Sequence, residues 1–206
     1  MNTKQSQDAI NLITNKKVKI LLSETINYDF NIFKLKDETQ SDELFALAYY
    51  LMQKHSLLES IDMDEFKFVH FIRDVSNGYK GVPYHNKMHA ADVTQSAYYF
   101  VEVCEFKQMA DCDDIDISSM ILATACHDYA HPGYNNMYMV ETFDEIAYCY
   151  NDKSVLENYH IAQCFLLTKK RFNDIFEGME REKKKAIRER MITMVLATDM
   201  ADHFKS

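Results

Sequence analysis

Ile117-Ser118-Ser119-Met120-Ile121-Leu122-Ala123-Thr124-Ala125-Cys126-His127-Asp128-Tyr129-Ala130, followed at once by His131-Pro132-Gly133, is the stretch whose reading decides the fold. Nothing in Ile117–Ala130 breaks a helix, and Pro132-Gly133 ends one firmly. Cys126 stands among Ala123 and Ala125 and reads as a small apolar core position. On the amino-terminal side, Asp111-Cys112-Asp113-Asp114-Ile115-Asp116 has a faint likeness to a calcium loop. Its sixth position is Asp116 where the sharp turn needs glycine, and no Glu stands at the twelfth, so it reads as a solvated loop.

Working outward, apolar residues keep recurring at helical spacing. Leu44, Leu47, Ala48 and Leu51 form a stripe behind the cap candidate Ser41, with Glu43 close by. Phe66, Val69, Phe71, Ile72 and Val75 form another, stopped by Asn77-Gly78. After the loop Gly81-Val82-Pro83, a helix is expected from about His85 to Phe106. Further helices fit Val140–Tyr150, Val155–Leu167 and Ile187–Phe204. With four glycines and two prolines in 206 residues, breakers are few, and no strand alternation or repeat is visible. The expected fold is all-α, a compact multi-helix domain, with residues 1–27 as a lead-in and 28–206 as one unit.

The chemistry gathers at the helix ends. His127 and Asp128 together suit a borderline or hard divalent cation, and one carboxylate can bridge two ions. About forty residues earlier, Tyr84-His85-Asn86-Lys87-Met88-His89 places two histidines at i and i+4, one above the other on a helix face. His89, His127 and Asp128 supply three ligands and leave room for water, the mark of a catalytic rather than a structural metal site. A second ion bridged by Asp128, Mg²⁺ or Mn²⁺, needs mainly oxygen ligands and water, and His131, Glu157, His160 and Thr198 are placed to hold that water. Two such ions about 3.5–4 Å apart clamp a phosphoryl group. His85 is then spare and suits a general acid on a leaving alkoxide. His55, His70 and His203 read as hydrogen-bonded core residues.

Composition narrows the partners. The net charge is −9, which argues against nucleic acid or an anionic membrane as the main partner. The basic run Arg181–Arg190 contains Glu182 and Glu189 and no aromatic, and reads as a solvated helix face. Five cysteines with no Cys-x-x-Cys spacing point to reduced thiols and an intracellular, cytoplasmic setting. No stretch is apolar enough to span a bilayer, and no signal-peptide core is seen at the start.

The runs Tyr84–Val93 and His127–Asn136 resemble the two signature motifs of class I cyclic nucleotide phosphodiesterases, a branch of the His-Asp metal phosphohydrolases. The similarity extends through Tyr150-Asn151-Asp152, Ser154–Asn158 and Leu196–Met200, and begins near Tyr28–Phe33. The resemblance implies hydrolysis of a 3′,5′-cyclic nucleotide, cAMP or cGMP, to its 5′-monophosphate. It implies that His85 protonates O3′, and that His89, His127 and Asp128 bind zinc, with Asp128 bridging to Mg²⁺ or Mn²⁺. His131, Glu157 and Thr198 match the second ion's water shell, and Tyr84 and Asn136 match positions near the substrate pocket. Ala130 departs from the family, many of whose members carry an acid there. The family's further zinc aspartate, purine-orienting glutamine and aromatic clamp match no residue before Ser206. The expectation is therefore the front portion of a catalytic domain, weakly active and prone to associate by itself, with a homodimer left open.

Three readings compete: a His-Asp phosphohydrolase of another phosphoester, a di-iron helical bundle, and a non-catalytic remnant that binds partners. The second rests on Glu157-Asn158-Tyr159-His160, but such sites use two Glu-x-x-His copies and only one is present.

Overall fold

The computed structural model describes Gln7 and residues 10–203, with side chains to Ala201. Among these residues there are helices and no strand. The helices are α1 Lys16–Ser23, α2 Ile32–Glu38, α3 Glu43–Lys54, α4 Leu57–Ser60, α5 Glu65–Gly78, α6 Lys87–Glu102, α7 Phe106–Met109, α8 Asp114–Cys126, α9 Asn136–Glu141, α10 Glu145–Tyr150, α11 Val155–Leu167, α12 Arg181–Leu196 and α13 Met200–His203.

Helix α8 is the hub. Ile117 to Ala123, with Ala125 and Cys126, are all buried, and a helix apolar all round belongs in a core. It packs against α12, α6 and α3. Helix α3 is almost as enclosed, from Glu43 to Met52 apart from Tyr50. Val18 and Leu22 of α1 join the same core as Leu35, Leu47 and Ile121, and Gln95 of α6 donates to the carbonyls of Thr25 and Asn27. A smaller cluster of Met139, Ala147, Val155 and Leu156 ties α9, α10 and the start of α11 together.

Several expected boundaries move, each for a local reason. Helix α3 is preceded by Asp42, while Ser41 has a left-handed backbone, φ 67°. The supposed solvated acidic loop is a capping box in which Asp113 and Asp116 satisfy each other's backbone N–H groups. Val140–Tyr150 is not one helix. Phe143 turns left-handed, φ 55°, and Asp144 caps a new start by accepting from Ile146 N–H. Helix α12 begins at Arg181, because its charged first half is made of strong helix formers, and buries Ile187, Met191 and Val195. It stops at Leu196 rather than running to Phe204, which lies outside the described residues. Val155–Leu167 is found as expected.

Two corrections matter for the site. Helix α6 starts at Lys87, because the Asn86 side chain accepts from the N–H groups of Met88 and His89. His85 therefore lies before the cap and not on the same helix face as His89. Helix α8 ends at Cys126, so His127 and Asp128 occupy a turn. Ala130, φ 59°, completes that turn and sends the chain to His131.

Candidate metal centre

Thr124, in the last turn of α8, sets the first ligand. Its carbonyl accepts from His127 Nδ1 at 2.8 Å, which leaves the lone pair on Nε2. That Nε2 stands 3.3 Å from His89 Nε2 and 3.2 Å from Asp128 Oδ2, and His89 Nε2 to Asp128 Oδ2 is 3.4 Å. Tetrahedral zinc with bonds of about 2.0–2.1 Å holds its ligand atoms about 3.3 Å apart. Octahedral magnesium at similar bond lengths brings neighbouring ligands to about 2.9–3.0 Å. The triangle suits a divalent cation in size and in donor type. Asp128 Oδ2 is buried without a hydrogen-bond partner, and a cation answers that deficit.

The other oxygen of Asp128 faces elsewhere. Oδ1 lies 3.8 Å from His160 Nε2, and Asp128, His131 and His160 form a second group with converging ligand atoms. His160 Nδ1 donates to the Tyr129 carbonyl at 2.6 Å, so its Nε2 presents a lone pair. His131 is the opposite tautomer: its Nδ1 accepts from Gly133 N–H at 2.9 Å, leaving Nε2–H as a donor. An N–H donor suits water rather than a metal. His160, expected among the residues that hold water, thus faces the Asp128 carboxylate itself.

Burial pushes Asp128 upward, but the adjacent imidazole of His127, with His160 and His85, outweighs it and holds the carboxyl at about 2. Burial lowers His127, yet Asp128 outweighs that and raises it. His160 and His131 are both pulled to about 4, chiefly by burial. His89 is lowered by burial and by His127.

These groups border a cavity of about 750 Å³ that also takes in His85, Asn136, Glu157, Thr198 and Asp199. His85 stacks on His131 with centroids 4.0 Å apart. Asn136 accepts from Leu156 N–H and donates to Glu157 Oε2 at 2.9 Å, so it fixes the Glu157 carboxylate. Burial raises Glu157, while Asn136 opposes the rise. Thr198 Oγ1 donates to the Val195 carbonyl. Tyr84 is set apart. It is exposed, its ring lies 4.5 Å from that of His89, and it lines a neighbouring cavity with Phe30 and Phe33. Asp199 was not anticipated: it is buried, lines the metal cavity and accepts from Ser154 Oγ at 2.7 Å. Its only sequence signal was its place directly after Thr198.

Of the core histidines, His55 hydrogen-bonds Tyr98 Oη at 2.8 Å, whereas His70 Nε2 has no partner and its ring packs on Phe66 and Phe172. The His203 side chain lies outside the described residues.

Residues 84–206 match the 3′5′-cyclic nucleotide phosphodiesterase family. This chain belongs to that family. It is 37% identical over 187 residues to a 3′,5′-cyclic-AMP phosphodiesterase 4 of Dictyostelium discoideum, covering 90% of this chain and 18% of that protein. It is 34% identical over 183 residues to a 3′,5′-cyclic-AMP phosphodiesterase 4C of Rattus norvegicus, covering 88% and 34%. A dual specificity calcium/calmodulin-dependent 3′,5′-cyclic nucleotide phosphodiesterase 1B of Mus musculus is 35% identical over 179 residues, covering 85% and 33%. The chain thus spans about a fifth to a third of the length of these phosphodiesterases. No helix among the described residues is long and apolar enough to cross a membrane.

Proposed function

We propose that this phosphodiesterase chain carries out metal-dependent hydrolysis of a 3′,5′-cyclic nucleotide, cAMP before cGMP, to the 5′-monophosphate. The observation that carries the reading is the 3.2–3.4 Å triangle of His89 Nε2, His127 Nε2 and Asp128 Oδ2. The preference for cAMP rests on the relatives whose names specify cyclic AMP.

In this reading His89, His127 and Asp128 would hold zinc, and Asp128 would also help to hold Mg²⁺ or Mn²⁺. Bound there, divalent ions supply Lewis-acid polarisation of the phosphoryl oxygens and a lowered water pKa. Glu157, held by Asn136, and Thr198 orient water by hydrogen bonding. His131 donates from Nε2–H, and its stacked ring keeps His85 facing the cavity. His85 gives a proton to O3′ as the P–O3′ bond breaks and a water oxygen bonds to phosphorus in its place. Tyr84 and Asn136 border the substrate, Asn136 chiefly by positioning Glu157. Five cysteines without a disulfide support the reading of a cytoplasmic setting, and a homodimer is open to sedimentation analysis.

The test is to incubate the purified protein with cAMP and Mg²⁺ or Mn²⁺ and identify the product by phosphorus NMR. The reading expects 5′-AMP, and none from Asp128→Ala. A 3′-monophosphate product, or an unchanged rate in that variant, would overturn it.

A further inference from the structure

Within the basic run Arg181–Arg190 some cations are paired once it is folded and others are not. Lys183 pairs with Asp62, Lys185 with Glu182, and Arg190 with Asp116. Lys184 and Arg188, one turn apart, point instead to a separate cavity of about 600 Å³ between α11 and α12. Arg188 lies over the Phe165 ring at 3.9 Å and Lys184 over Phe176 at 5.3 Å. Lys169 is the third cation on the lining, and Leu166, 58% exposed, and Ile192 extend its apolar wall. No carboxylate lines the cavity, and these three cations form no ion pair among the described residues.

We propose that this cavity binds a single-chain anionic amphiphile, an acyl chain ending in a carboxylate or a phosphate. Its size is within the range of small-ligand sites, which are mostly apolar with a few placed polar groups. An acyl chain covers Leu166, Ile192 and the ring edges, while the head group meets Lys169, Lys184 and Arg188. The two cations that ride on aromatic faces have fewer competing waters, which strengthens a charge-assisted bond. The net charge of −9 favours a lone amphiphile over an anionic bilayer: a membrane feels the repulsion of the whole molecule, whereas one anion in the cavity feels its local cations. None of these residues belongs to the metal centre.

The experiment is calorimetric titration of the full chain with palmitate and with a monoacyl phosphate, alongside a neutral monoacylglycerol of equal chain length. Both anions should bind at one site and the neutral lipid much more weakly. Lys184→Glu combined with Arg188→Glu should weaken the anions about tenfold or more, the worth of one charge-assisted bond. Lys183→Glu, which lies about 100–140° round the helix from Lys184 and Arg188 and pairs with Asp62, should leave binding unchanged. Leu166→Asp alters only an exposed wall residue, and should also weaken binding if the helix-face variants prove unstable. Equal binding of the neutral lipid, or binding untouched by Leu166→Asp and by the double variant, would overturn the proposal. So would co-sedimentation with anionic vesicles without binding of the free amphiphiles, or competition only by an acidic peptide.

Discussion

Asp128 presents one oxygen to His89 and His127 and the other to His160, so a single carboxylate serves two groups of ligands. Asp128→Ala should therefore abolish metal-dependent turnover and zinc retention together. Metal analysis on the same sample checks the second. His85 stands outside both groups. His85→Ala should keep zinc and lower turnover by about 10²–10⁴, the usual worth of a general acid. The loss should shrink with a substrate whose leaving group needs no proton, and zinc loss in this variant would make His85 a ligand. The adjacent His-Asp pair stood out in the sequence as a candidate because its donor types suit a divalent cation. The tautomers were not, because they depend on the carbonyls of Thr124 and Tyr129 and on Gly133 N–H.

Loop and helix meet in Asn86. Its side-chain oxygen caps α6, and its amide donates to the Val82 and Pro83 carbonyls, fixing His85 relative to His89. Asn86→Ala should cost about 1 kcal/mol of stability, as lost caps do, and lower turnover beyond what thermal melts account for. Gly78 is a second junction. A Cβ there would lie 2.2 Å from the Tyr129 ring, whose carbonyl holds His160. Gly78→Ala should destabilise by about 1–3 kcal/mol through overpacking, read as a lower melting temperature. Asn77-Gly78 was readable as a helix stop. The close approach of Tyr129 was not, because that contact spans two distant segments. Helix α11 kept its expected bounds, since apolar spacing sets its length. Helices α6 and α8 lost their expected ends because capping by Asn86 and the left-handed Ala130 operate below the resolution of periodicity.

At the scale of the molecule, two histidines far from the metal centre couple folding to pH. Burial lowers both His55 and His70 from the ordinary 6.5. As pH falls through that value, the unfolded chain takes up protons before the folded one, so stability present above 6.5 declines below it. Melting temperature should fall from pH 7.5 to 5.5, and His55→Gln should flatten part of that slope. An unchanged slope would assign the dependence to other groups. Composition and helical spacing made the all-α class readable from the sequence. The packing of α8 against α12, α6 and α3 needed the fold, because an all-round apolar helix carries no mark of its neighbours.

The most direct measurement is zinc-edge X-ray absorption, with metal stoichiometry, on the protein and its His85→Ala and His127→Ala variants. The account predicts tightly held zinc with nitrogen and oxygen ligands at about 2.0–2.1 Å, kept by His85→Ala and lost by His127→Ala. Zinc that survives His127→Ala, or that leaves with His85, would contradict it.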